Sequence, residues 1–309
     1  MALLIASVGF TDYVRAHELV PAWIIVSYFS LVIATGLTLL MAVAPLSAWG
    51  ATSLKRMGTA LLVPLGLTAI ALVLFAMAGM SSVGALIGYG LVTLAGFVAL
   101  YEIYRGAAAR VRGRGENPIF ATLALMRRSS RRYGGYIIHI GIAVIGVGVI
   151  GSTLYQLETQ QTLNRGESLQ IGGYEMTYSD FEGGQITRDG RIMDIAVVTV
   201  TRNGREVAEL RPRRDFFPEG GNDMNTMTIA GSHSTLENDF YVLLTGWERI
   251  DQSTATFKVY VNPLVNLVWW GSFILILGTM ISTWPRDVVP ARSRSRASVP
   301  SNTAMAAGD

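Results

Sequence analysis

Five apolar blocks of about 22 residues each constrain this chain more than any other feature, because a helix needs about 20 apolar residues to cross roughly 30 Å of hydrocarbon. They run from about Ala22 to Ala44, Gly58 to Gly79, Val83 to Tyr104, Tyr133 to Tyr155 and Pro263 to Trp284. Half of the 309 residues are apolar and only 15% are charged, too few charges for a soluble protein of this size. Tyrosines and tryptophans collect near the block ends (Trp23, Trp49, Tyr101, Tyr104, Tyr133, Tyr155, Trp284), the positions that meet lipid headgroups.

Arginine placement sets an expected orientation. Lys55 and Arg56 follow the first block. Arg105, Arg110, Arg112, Arg114, Arg127, Arg128, Arg131 and Arg132 lie between the third and fourth, and Arg286, Arg292, Arg294 and Arg296 follow the fifth. With five spans all three groups fall on one face, which the positive-inside rule makes cytoplasmic. These arginines flank spans, where anionic lipid is the expected contact. No nucleic-acid motif accompanies them, so no nucleic acid is expected as a partner. The turn Met80 to Ser82 is short and uncharged, as an outer turn should be.

Between the fourth and fifth blocks the period changes. Ile195 to Thr201 is rich in β-branched residues and ends at Arg202-Asn203-Gly204-Arg205, a two-residue hairpin signal. Ser168 to Ile171, Tyr174 to Tyr178, Phe240 to Leu244 and Thr254 to Val261 also read as strands. The expected fold is an α-helical integral membrane protein with an inserted, extracytoplasmic all-β domain, a small barrel or a sandwich. Its parts in order are an extracytoplasmic segment 1–21, a three-helix membrane region 22–104 and a basic cytoplasmic loop 105–132. A helix 133–155, the β domain 156–262, the last membrane helix 263–284 and a disordered cytoplasmic tail 285–309 complete it. The N-terminus lacks a basic leader and a small-residue cleavage site and is expected to be retained. The chain has no cysteine, which excludes disulfides, thiolate chemistry and cysteine metal sites within it.

His139 is out of place. It lies about six residues into the fourth block, about 9 Å deep at 1.5 Å per residue, where an ionisable group is costly and usually functional. Gly135, Ala143 and Gly146 share its helical face, leaving room beside the imidazole for something flat, such as an iron porphyrin. The same small residues suit close packing of two helices, with the histidine bonding across the contact. Proton transfer and quinone binding are further readings. The spans contain no second histidine: His17 precedes the first block and His233 lies in the β domain. Met41, near His139 in depth, is the other conceivable axial ligand, although methionine in a span is usually filler.

The run Arg131-Arg-Tyr-Gly-Gly-Tyr-Ile-Ile-His-Ile-Gly141, then Gly151-Ser152, Leu163 to Gly166 and Ile171-Gly-Gly-Tyr174, resembles the C-terminal half of CcmF, the haem lyase component of cytochrome c maturation, related to NrfE. Ala44-Pro45-Leu46 with Trp49, Leu210-Arg-Pro-Arg-Arg214, Asp239-Phe-Tyr-Val242 and Val261-Asn-Pro-Leu-Val265 with Trp269 agree in order. The resemblance implies that His139 matches a membrane histidine ligating haem b, with the second axial ligand on a partner chain. It also implies thioether attachment of haem to apocytochrome c. Full CcmF proteins are about twice as long and carry a WWD segment that is missing here, since Trp269-Trp270 has the wrong context. The chain therefore resembles the C-terminal subunit of a split CcmF in the plasma (inner) membrane, a non-autonomous part of a holocytochrome c synthase.

The partners so implied are a WWD-containing N-terminal CcmF-like subunit, a haem chaperone, and apocytochrome c or its thiol-handling carrier. Two alternatives remain: a non-catalytic scaffold of the maturation complex, and a haem or small-molecule permease subunit. Few polar residues line the spans, which weighs against the permease. Among secondary candidates, His17 and His233 read as interfacial and loop histidines. Arg211, Arg213 and Arg214 read as a strand end that could reach haem propionates.

Overall fold

The computed structural model describes residues 22–43, 54–218, 224–247 and 253–284. The N-terminal segment with His17, the Pro45 and Trp49 region and the arginine-rich tail lie outside the described residues. Six helices are described: α1 (Ala22–Val43), α2 (Leu54–Met77), α3 (Val83–Arg114), α4 (Pro118–Arg128), α5 (Ser130–Leu154) and α6 (Asn266–Thr283). Four of them, α2 from Gly58, α3, α5 and α6, are long and apolar enough to cross a membrane. Of the first predicted span, Ala22–Val43 is helix, with Val32–Ala42 an apolar stretch.

The segment 105–132, expected as a loop, is largely helical. α3 continues past Tyr104 to Arg114, because alanine and arginine at positions 107–112 are good helix formers once the chain has left the spans. Gly115 stops it in the left-handed conformation at φ 66°. Asn117 then caps α4, whose first residue is Pro118. Counting charges made this stretch look like a loop, whereas propensity and caps make it a helical hairpin.

Ten strands are described after α5: β1 (Leu157–Asn164), β2 (Ser168–Ile171), β3 (Tyr174–Ile186), β4 (Ile192–Arg202), β5 (Arg205–Leu210), β6 (Arg213–Pro218), β7 (Met224–Ile229), β8 (Gly231–Ser234), β9 (Asn238–Trp247) and β10 (Thr254–Pro263). They form a four-stranded sheet, β1-β10-β9-β8, and a six-stranded one, β2-β3-β4-β6-β7 with β5 paired to β4. Of the two architectures expected, the sandwich is the one formed. Alternate residues of β9 (Phe240, Val242, Leu244) and β10 (Ala255, Phe257, Val259, Val261) meet Tyr174, Met176 and Tyr178 of β3 and Ala196, Val198 and Val200 of β4 in one buried core. Tyr174–Phe240 and Tyr178–Phe257 each cross between the sheets at 5.2 Å. The hairpin at Asn203-Gly204 forms as expected, with φ of 53° and 72° and Arg202 opposite Arg205. His233, expected in a loop, lies in edge strand β8 opposite Phe240.

The sandwich grows directly out of a helix pair. β1 leaves α5 and β10 enters α6, and the two strands pair from Leu157 opposite Val261. Leu264, at φ 59°, makes the turn from β10 into α6, which is why that helix starts after Pro263 rather than at it. At the same end of α5, the Tyr155 hydroxyl meets Ser82 Oγ at 3.0 Å, so the α2–α3 turn and the sandwich share one end of the bundle.

Candidate functional site

Three stripes on α5 decide what His139 can do. The first is Gly134, Gly141 and Gly148, at seven-residue intervals, against Gly271 and Gly278 of α6, seven apart as well. A Cβ on Gly141 would lie 2.7 Å from the Leu275 backbone nitrogen and 2.8 Å from the Gly271 carbonyl oxygen. One on Gly278 would lie 2.7 Å from the Ile138 nitrogen. The two helices therefore touch backbone to backbone, as small residues permit in lipid.

The second stripe faces α3. Ala143 packs against Gly96, Gly146 against Val92, and Ile150 reaches Gly88. Nearer the arginine end, Tyr133 and Tyr136 bury themselves around Ala99 with Ile103 beside them. The third stripe is open. A Cβ on Gly135 would meet nothing within 4 Å, and Ile142 and Val149 are exposed.

His139 lies between the second and third stripes, half-buried. Its Nδ1 is buried with no hydrogen-bond partner among the described residues. The single face predicted from Gly135, Ala143 and Gly146 is thus divided. Of the three small residues expected beside a flat ligand, Ala143 packs against Gly96 and Gly146 against Val92 of α3. Only Gly135, on the arginine side of His139, leaves a free wall. The reason is the placement of α3: its Gly88, Val92 and Gly96 meet Ile150, Gly146 and Ala143, and its Ala99 and Gly106 meet Tyr136 and Tyr133, whereas Gly135 lies on the stripe turned away from α3.

A porphyrin with one axial imidazole from this chain fits these residues. The ring nitrogen is unpartnered, its neighbour is a glycine with open space, and the surrounding exposed side chains are apolar. No group of three or more histidine, aspartate or glutamate side chains among the described residues could hold a bare metal ion. Met41 is on α1, and no contact with His139 is described.

A polar cluster missed by the sequence reading lies toward the arginine end of the same α3–α5 seam. Glu102 of α3, only 7% exposed, accepts from Arg105 Nη1 at 2.5 Å and from Arg132 Nη2 at 3.4 Å. Arg132 Nε donates to the Tyr136 hydroxyl at 2.8 Å. An open groove of about 490 Å³ runs along this cluster, lined by Tyr101, Glu102, Arg105, Arg112, Arg132 and Tyr133 among others. The available signal was helical spacing: Arg132 precedes His139 by seven residues and so shares its face. Counting it as a topology charge hid that relation.

The arginines in Leu210-Arg-Pro-Arg-Arg214 are engaged inside the sandwich. Arg211 pairs with Glu182, Arg213 Nε lies 3.2 Å from Asp215, and Arg214 lies over the Trp247 ring at 5.8 Å. They hold strands together rather than forming an open anion site.

Residues 154–263 match the family model of the CcmF C-terminal beta-sandwich. Over 168 residues, 53% of this chain and 24% of the relative, the chain is 32% identical to the cytochrome c-type biogenesis protein CcmF of Pseudomonas fluorescens. It is 24% identical over 260 residues to that of Haemophilus influenzae, covering 83% of this chain and 38% of the relative. A solved structure titled cytochrome c haem lyase CcmF superposes with a TM-score of 0.63 at 25% identity, covering 88% of this chain and 42% of that one. The chain therefore spans under half the length of the proteins it matches, and its sandwich matches their C-terminal domain.

Proposed function

We propose that this chain, whose β-sandwich matches the CcmF C-terminal family model and whose fold is similar to that of a solved CcmF, supplies the C-terminal part of a CcmF-type cytochrome c haem lyase. In this reading His139 gives one axial ligand to a b haem within the bundle. The second ligand comes from an N-terminal CcmF-like polypeptide carrying a WWD segment, as a separate subunit of a split lyase. The bound b haem would supply an electron to keep the arriving haem iron reduced during thioether formation on apocytochrome c.

The observation that carries this reading is the unpartnered, buried Nδ1 of His139 beside the open wall at Gly135. Leaving a buried imidazole nitrogen unpaired costs about 1–3 kcal/mol. α6 locks α5 from the opposite side through glycine contacts, so the ring is presented from a helix that cannot roll. The sandwich, rooted on that same helix pair, is the surface proposed to meet the haem chaperone and the apocytochrome or its thiol-handling carrier. Its proposed position is extracytoplasmic, in the inner membrane. The support is that the arginine-rich α3–α5 connection lies at the opposite end of the helices.

The test is an absorption spectrum and haem content of the purified assembly, wild type against His139→Ala. We expect the b-type signal of the variant to fall by at least about tenfold, as loss of an iron ligand should bring. Unchanged haem content in a folded variant would favour the non-catalytic scaffold instead. Copurification with a WWD-containing chain tests the split organisation.

A further inference from the structure

We propose that Arg132 anchors a propionate carboxylate of the haem ligated by His139, and that the groove it shares with Arg105 and Arg112 receives the acidic edge of the porphyrin. The proposal rests on the haem-ligand reading of His139 and adds to it an orientation for the haem.

Spacing comes first. Seven residues of helix place Arg132 on the same face as His139, about 10 Å along the axis at 1.5 Å per residue, a separation a porphyrin can bridge from iron to propionate. Gly135 lies between them, and a Cβ there would meet nothing within 4 Å. No side chain stands over Gly135 between imidazole and guanidinium, whereas Ala143 and Gly146 are packed against α3. A flat ligand on His139 that lies along the Gly135 side therefore comes toward Arg132.

Charge points the same way. The groove holds three guanidiniums, Arg105, Arg112 and Arg132, against one carboxylate, Glu102. The surplus of two positive charges matches the two propionates of protohaem. Arg132 is also held in place. Its Nε donates to the Tyr136 hydroxyl, one Nη2 donor meets Glu102, and its guanidinium lies 5.6 Å from the Tyr136 ring centroid. Arginine has five N–H donors, so three remain to bind a carboxylate in bidentate fashion. The side chain is 61% exposed, and the free donors are accessible from the groove. The phosphate of an anionic lipid headgroup offers similar acceptors and is the competing source of an anion at this place.

The experiment removes haem from the purified assembly and titrates it with iron protoporphyrin IX or its dimethyl ester, which lacks both carboxylates. Absorption reports binding. Wild type should prefer the free acid by about tenfold or more, the worth of a charge-assisted hydrogen-bond pair. Arg132→Gln should shrink that preference about tenfold while keeping the iron–imidazole spectrum, and Arg132→Lys should restore part of it. Comparing the preference between variants cancels the greater greasiness of the ester. A wild-type assembly that does not distinguish acid from ester would overturn the anchor and leave the groove to lipid phosphate. A wild-type-sized preference in Arg132→Gln would overturn it too. If Arg132→Gln fails to assemble, Tyr136→Phe, which frees the guanidinium but keeps the ring, should weaken the preference; an undiminished preference there counts against the proposal. His139→Ala binding both porphyrins with an unaltered spectrum would instead remove the ligand reading itself.

Discussion

Gly141→Leu will separate α5 from α6 and unfold the membrane part of this protein. The position where its side chain would begin lies 2.7 Å from one backbone atom of α6 and 2.8 Å from another, and backbone cannot swing aside as a flexible side chain can. Gly141→Ala alone should cost about 1–3 kcal/mol by overpacking, and leucine more. The control is on the same helix. Gly135→Ala meets open space and should be neutral or slightly stabilising, since alanine is a better helix former than glycine by about 1 kcal/mol. Thermal unfolding in detergent, read by circular dichroism, should rank the proteins as Gly135→Ala at or above wild type, then Gly141→Ala, then Gly141→Leu. Equal stabilities for the two alanine variants would show that the glycine seam is not tight. His139 sits on this helix, so if it holds haem as proposed, Gly141→Leu should also lose that haem. Gly135→Leu should lose it with little change in stability.

The second large effect belongs to the sandwich. Asp215 on β6 is completely buried between β4 and β7, and its carboxylate meets Arg191 Nη1 at 3.0 Å and Arg213 Nε at 3.2 Å. Asp215→Ala leaves two guanidiniums facing each other across an emptied site. Breaking a buried ion pair from one side typically costs about 3–5 kcal/mol, and the expected loss is of that order. Arg213→Met alone, which leaves Arg191 on the carboxylate, should cost less. Chemical denaturation of the full chain, followed by near-ultraviolet circular dichroism, distinguishes the two. The sandwich core is aromatic, and Trp247 packs near Phe216 from the next residue along β6, so loss of packing at this site is visible in that signal. If Asp215→Ala unfolded at the wild-type denaturant concentration, the triad would be ornamental.

These two sites were legible in the sequence to different degrees. The glycines of α5 and α6 are visible as residues, and the reading of small residues as a close helix contact was open from the start. What could not be seen was which glycines serve which neighbour. Gly134, Gly141 and Gly148 meet α6 while Ala143 and Gly146 meet α3, leaving Gly135 free. A helix wheel assigns faces, but a face has no meaning until a partner is placed against it. Asp215 gave no sequence signal at all, because an aspartate in a strand looks exposed until two arginines from other positions converge on it. In the same way Glu102 and Arg132 lie 30 residues apart and pair only because α3 and α5 run antiparallel.

The sequence alone determined the solvent of each segment. Apolar length committed the chain to helices in lipid, β-branched and turn-bounded runs committed segments such as Ile195 to Thr201 and Thr254 to Val261 to strands, and one histidine in an apolar helix marked where chemistry could reside. Those properties are local sums over neighbouring residues. Tertiary structure decided everything that depends on a second surface: the sandwich over the barrel, the closing of one side of His139 and the opening of the other. Burial and pairing are relations between distant parts of the chain, and no residue carries them until the chain has folded.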